Sequence, residues 1–234
     1  MNPWGNGHLI KHNFFHGLIL NSDIPFPGGE MAHVDSIQMF TEGSYPFQKL
    51  TNTTIEENIF ADSMQGIHIS NNDRVPNAMD GLIIRNNVFW GQEFNFYGGT
   101  AWMAHGSLFL GEAPGLRIEN NLYHMAWNNI SLYTINSSLI AQGNIFVETG
   151  TAFSLQAGAN PRIDRGTKGN ILWHDDPTFR LSPLAPDVQF DPQIRNINAI
   201  TGTEVAGPDG IPFTADDAWR PLNPAAATYG PQGI

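Results

Sequence analysis

The chain contains no cysteine, which excludes disulfides, thiolate catalysis and cysteine-ligated zinc and leaves the redox compartment unreadable. Charge is scarce too: 14% of residues are charged, with 11 Lys and Arg against 22 Asp and Glu. The formal net charge of -11 argues against nucleic acid or an anionic membrane surface as partner, because both require a basic surface. A polyanionic substrate would need a local basic patch or a bridging cation such as Ca²⁺. No apolar run approaches the length of a bilayer span, so no membrane insertion is expected. The opening "MNPWGNGHLIKHNFF" lacks the basic segment and apolar run of an export signal. It already reads as part of a repeat, so upstream repeats, a leader, or another subunit over that end are expected.

Turn formers are plentiful, with Gly 24 and Pro 16, beside 41% hydrophobic residues. That mixture suits many short strands joined by turns, and 234 residues fit one domain with a loop-rich tail. Internal repetition is the strongest signal. The segments "LIKHNFF", "TIEENIF", "IIRNNVF", "RIENNLY", "IAQGNIF" and "TKGNILW" align on Asn13, Asn58, Asn87, Asn121, Asn144 and Asn170. In five copies an aromatic follows two places on: Phe15, Phe60, Phe89, Tyr123 and Phe146. Three places before the asparagine stand Ile10, Ile55, Ile84, Ile118 and Ala141, and Leu82, Leu116 and Leu139 lie two further back. This is the period of two expected of a strand with one buried face. The asparagines are 45, 29, 34, 23 and 26 residues apart, and the shortest interval fits one turn of a β-solenoid with its loops.

A second strand follows each asparagine: "SIQMF", "GIHIS", "EFNFY", "NISLY" and "AFSLQ". Its inward positions are read as Ile37/Met39, Ile67/Ile69, Phe94/Phe96, Ile130/Leu132 and Phe153/Leu155. Stacking such strands places like side chains about 4.8 Å apart, where a repeated asparagine can hydrogen-bond its neighbours and satisfy buried amides.

This pattern, over residues 8 to about 173, resembles the right-handed parallel β-helix proteins of the pectate-lyase-like superfamily, whose rungs carry an asparagine ladder at a tight turn. The resemblance implies an all-β, single-stranded right-handed parallel β-helix over residues 1–175, with an irregular C-terminal cap over residues 176–234 packed over or along it. It also implies a secreted or cell-surface bacterial protein. Within the tail, "GPDGIPFTADD" sets Asp209, Asp216 and Asp217 among glycines, a weak resemblance to a calcium loop that lacks the closing glutamate, so a plain acidic turn competes with it.

The outward positions of the second strands form a polar row, read as Gln38, His68, Asn95, Ser131 and Ser154, wide enough for an extended sugar chain. Long loops border its first three members, at 21 to 32, 41 to 50, 71 to 80 and 97 to 115, and loops around one patch are usual sites of binding. They bring Tyr97 and Trp102, whose aromatic faces can stack on sugars, and the cations Lys49 and Arg74, candidates for binding substrate or serving as base, with isolated solvated charges as the competing explanation. In "EMAHVDSIQMF", His33 and Asp35 stand at the rim, with Asp35 read at a turn position; an Asx-type turn with His33 packed beside it is the competing explanation.

Two chemistries fit. A β-eliminating lyase must neutralise a uronate carboxylate and remove the adjacent sugar proton. His33 or His68 would be the base, Tyr97 or Tyr133 the acid, and Gln38 and Asn95 partners of the carboxylate, with Asp35 orienting His33 or holding a cation. A glycoside hydrolase would instead need paired carboxyls, with Asp35 and Glu93 as candidates about two rungs apart. A non-catalytic, adhesin-like glycan-binding solenoid would use the same aromatic-lined patch. In all three the partner is a polysaccharide.

Overall fold

The structure is a computed structural model. It describes residues 1, 3–16, 35–40, 49–61, 65–71, 78–90, 93–96, 99–102, 108–110, 113, 115–124, 128–132, 138–155, 162–176, 183–194 and 221–232. These residues form an all-β chain without an α-helix. Three parallel sheets carry most of it, and the chain visits them in rotation. Sheet I orders Leu9–Lys11, Thr54–Glu56, Ile83–Arg85, Leu116–Glu119, Ser138–Gln142 and Arg162–Asp164. Sheet II orders Phe14–His16, Ile59–Ala61, Val88–Trp90, Leu122–His124, Ile145–Val147 and Ile171–Trp173. Sheet III orders Asp35–Phe40, Gln65–Ser70, Leu108–Leu110, Asn128–Leu132 and Thr151–Leu155. Each sheet thus takes one strand per repeat, an arrangement compatible with a parallel β-helix.

The corner between sheets I and II explains the repeated asparagine. The residue before each one holds a left-handed backbone: His12, Glu57, Asn86, Asn120, Gly143 and Gly169, at φ from 54° to 70°. That conformation turns the chain sharply enough to bury the next side chain, and glycine holds it at the lowest steric cost. Asn58, Asn87, Asn121, Asn144 and Asn170 are fully buried. Their amides would be costly there without partners, and the stack supplies them. Asn87, for example, donates its backbone N–H and its Nδ2 to Asn121 Oδ1 at 2.9 and 3.0 Å, and a second Nδ2 hydrogen goes to Ile55 O at 2.9 Å.

The rest of the interior follows the same translation. Phe15, Phe60, Phe89, Tyr123 and Phe146 stack face to face with ring centroids 4.8–4.9 Å apart, the spacing of hydrogen-bonded strands. Ile37, Met39, Ile67, Ile69, Ile130 and Leu132 are buried on sheet III, as the alternation requires. Leu155 departs from it, at 53% exposure. It stands on the last strand of the sheet among the described residues, and Phe153, two residues before it, is capped by the Arg165 guanidinium, 4.5 Å from its ring centre.

The repeat does not stop at Asn170. Val188 pairs in parallel with Ile171, and Asp187 takes the next ladder position, its Oδ1 accepting from Asn170 N and Nδ2 at 2.9 and 3.0 Å. Its other oxygen bonds Arg165, and both side chains are buried. Downstream residues then cover the outer face of sheet II. Val188, Phe190, Ile194, Ala226 and Tyr229 pack on a second apolar cluster of Ile59, Val88, Trp90, Leu122, Ile145 and Ile171. Gly230 N donates to Gly143 O at 2.8 Å and Gln232 N to Asn86 Oδ1 at 3.3 Å, so this segment runs across several repeats. Sheet II is therefore apolar on both faces. The outer row of sheet I is ionic, with Glu56 bridging Lys11 at 3.5 Å and Arg85 at 2.7 Å. That leaves the outer face of sheet III for the polar row.

Candidate functional site on sheet III

Strand pairing fixes the row. Gln38 pairs with His68, His68 with Phe109, Phe109 with Ser131 and Ser131 with Ser154. Asn95 is not a member. Glu93–Phe96 instead folds back on Gly99–Trp102 as an antiparallel hairpin with a two-residue loop, pairing Glu93 with Trp102 and Asn95 with Thr100. Leu108–Leu110 takes the place in sheet III that "EFNFY" was expected to fill. Both segments place apolar residues two apart, Phe94/Phe96 and Leu108/Leu110, but the first pairs locally with Gly99–Trp102. Leu108–Leu110 lies close before the next sheet I strand at Leu116. The expected placement of Glu93 two rungs from Asp35 falls with it, and so does the spacing argument that paired them as hydrolase carboxyls. Phe94 and Phe96 likewise are not rung positions.

The row is shielded rather than open. Gln38 and Ser154 are intermediate in exposure, Ser131 is buried, and the His68 side chain is 16% exposed. Asp35, read from the sequence at a turn, is the first residue of the strand Asp35–Phe40 and pairs with Gln65. The residue as a whole is intermediate in exposure, but its carboxylate is only 2% exposed, because what solvent meets is its backbone. Asp35 Oδ2 lies 3.8 Å from His68 Nδ1, and neither carboxylate oxygen accepts a hydrogen bond among the described residues.

A buried carboxylate without donors is costly, and the His68 imidazole 3.8 Å away is a group that can become cationic. The two arrive from adjacent repeats, 33 residues apart in sequence, so only the strand stacking brings them together. Beside them, Met1 extends the edge of the sheet, with its ammonium donating to Ser36 O at 2.8 Å and Gln38 N donating to Met1 O at 2.8 Å.

Of the other expected site residues, Lys49 is exposed and precedes the short strand Leu50–Thr51, which pairs with Gly5–Asn6 outside sheet III. Its carbonyl accepts from Gly5 N at 2.8 Å. Trp102 stands in the hairpin. His33, Arg74, Tyr97, Tyr133, Asp209, Asp216 and Asp217 lie outside the described residues.

A second cluster escaped the sequence reading. Glu148 follows the sheet II strand Ile145–Val147, and His174 and Asp175 follow the next strand of that sheet, Ile171–Trp173. His174 Nδ1 lies 3.3 Å from Glu148 Oε2 and 3.4 Å from Asp175 Oδ1. Asp175 N donates to Glu148 Oε1 at 3.1 Å, and Asp176 N donates to His174 Nδ1 at 3.0 Å. Burial, reinforced by the neighbouring Asp175 carboxylate, pushes the Glu148 carboxyl up to about 7. Burial also lowers the His174 imidazole. Register was the only available clue: Val147 and Trp173 occupy equivalent positions in consecutive repeats.

No helix among the described residues is long and apolar enough to cross a membrane. The chain matches no protein-family model, no curated protein and no solved structure.

Proposed function

We propose that the chain is a right-handed, single-stranded parallel β-helix of the pectate-lyase-like kind, and that it is a secreted or cell-surface polysaccharide lyase. The handedness rests on the strong preference of parallel crossovers for the right-handed connection. The carrying observation for activity is the buried Asp35 carboxylate 3.8 Å from His68 Nδ1, on the row that also holds Gln38.

A carboxylate beside Nδ1 fixes the tautomer with its proton on Nδ1, leaving Nε2 as a base, and it stabilises the imidazolium once formed. The gap must shorten by about 1 Å for a hydrogen bond, as catalytic contacts do when substrate closes a site. His68 Nε2 takes the proton from C5 of a uronate residue, the electron pair forms the C4–C5 double bond, and the C4–O bond breaks. The departing oxygen takes a proton from an acid, for which Tyr97 and Tyr133, outside the described residues, are the candidates offered by the sequence. Gln38 is suited to hydrogen-bond the uronate carboxylate and so acidify C5. Ca²⁺ supplied with an acidic glycan is the neutralising cation suited to a chain this acidic.

Incubation with a panel of acidic and neutral polysaccharides, with and without Ca²⁺, tests the reading. Ultraviolet absorbance of unsaturated uronates, lost in His68→Ala, is the expected outcome. Reducing ends without absorbance indicate hydrolysis, and retention on an immobilised glycan with neither product indicates a binding module; either result overturns the lyase.

A further inference from the structure

We propose that Glu148, His174 and Asp175 form a zinc site at the edge of sheet II, distinct from the sheet III row. The three donor atoms lie within 4.8 Å of one another, and the two contacts to the imidazole decide what they suit. At 3.3 and 3.4 Å, Nδ1 stands farther from each carboxylate oxygen than a charge-assisted hydrogen bond, which closes to about 2.7–2.9 Å. Those separations instead match the edge of a zinc tetrahedron: bonds of about 2.0–2.1 Å place neighbouring ligands about 3.3–3.4 Å apart. One imidazole with two carboxylates is a donor set that zinc accepts, with a fourth position left for water or a ligand.

The setting agrees with that reading. The His174 side chain is 94% buried by complement of its 6% exposure, and Glu148 is 14% exposed, whereas Asp175 is 67% exposed and leaves one side open to solvent. The Asp176 amide points at His174 Nδ1, which makes that nitrogen an acceptor, the protonation state that ligation needs. Zinc would displace this amide, which is only partly buried. The ligands come from two consecutive repeats, so zinc would clamp the last corner of sheet II, next to the segment that caps it.

The test uses the full chain stripped with chelator, with Zn²⁺ alone titrated by calorimetry and Co²⁺ alone followed by visible absorption. One equivalent of Zn²⁺ and the intense visible band of tetrahedral cobalt are expected from the unaltered protein. Glu148→Gln and His174→Gln should each weaken binding at least tenfold, and His12→Gln, a surface histidine paired with Glu57, should not. Circular dichroism of the metal-free variants checks that they fold, and the cobalt spectrum needs no variant at all. No zinc uptake, an octahedral cobalt spectrum, or unchanged affinity in both folded variants would overturn the site.

Discussion

Asn170 donates its backbone N–H and its side-chain amide to a single atom, Oδ1 of Asp187, at 2.9 and 3.0 Å. A carboxylate thus ends a ladder built otherwise from asparagines, and the choice has a reason. An asparagine at this position could offer the same acceptor oxygen, but only a carboxylate can also hold the buried Arg165 guanidinium. Asp187→Ala leaves that cation and two buried donors without partners, and should cost about 3–5 kcal/mol. Asp187→Asn keeps the ladder contact and should cost less. Urea unfolding of both variants separates the two contributions; equal losses would mean that the ion pair, not the ladder contact, carries the cap.

Position along the ladder should set the cost of breaking it. Asn121→Ala, in the middle, removes the acceptor used by Asn87 and the donors that reach Asn144 Oδ1 and Ile84 O. With unsatisfied buried groups at about 1–3 kcal/mol each, a loss of several kcal/mol is expected. Asn13→Ala, at the first ladder position and only partly buried, should cost clearly less. Denaturant midpoints of the two variants compare them directly.

Tyr123 is the one tyrosine in a stack of phenylalanines. Its ring fits between Phe89 and Phe146, but its hydroxyl is fully buried with no hydrogen-bond partner among the described residues, and burial raises its pKa well above the ordinary value. Tyr123→Phe keeps the stacking and removes the orphan hydroxyl, so it should raise stability by about 1–2 kcal/mol. A lower melting temperature would show that the hydroxyl is satisfied in solution.

His124 should make the fold acid-sensitive. It stacks on Trp90 with ring centres 4.3 Å apart in the outer cluster of sheet II, and burial lowers its pKa from 6.5 to about 3. The folded state therefore favours the neutral ring: its contribution is fully present above the unfolded pKa of 6.5 and is lost as pH falls toward 3. His124→Phe should remove that part of the pH dependence, on the order of 3 kcal/mol between pH 6.5 and about pH 4. Stability of both proteins across this window gives the difference, and parallel curves would assign the acid sensitivity to other groups.

The ladder was legible because one chemical problem, a sharp left-handed corner with a buried amide, recurs in six copies with one solution. The seventh position was hidden because Asp187 replaces asparagine and follows after 17 residues, so neither residue type nor spacing signals it. The misplaced Asn95 has a different cause. "EFNFY" and "SLFLG" both place apolar residues two apart, and that spacing does not say which strand stacks and which pairs locally. The Glu148, His174 and Asp175 cluster was invisible for want of side-chain direction at two separate corners. Asp35 and His68 were each picked out as candidates, but the rim position assigned to Asp35 gave no hint that its carboxylate would be buried against the histidine of the next repeat.

That burial carries its own signature. If Asp35 were kept for stability, replacing it should weaken the protein; a carboxylate with no described donors predicts the reverse. Asp35→Asn should leave the melting temperature equal or higher while depriving His68 of its charged neighbour.

The most direct measurement is the rate of unsaturated uronate formation from an acidic polysaccharide by the unaltered protein, Asp35→Asn and His68→Ala, with melting temperatures taken in parallel. New absorbance is expected from the unaltered protein, with a loss of at least a hundredfold in rate in both variants and no loss of stability in Asp35→Asn. Full activity in both variants, or destabilisation of Asp35→Asn with no elimination on any acidic glycan, would contradict that expectation.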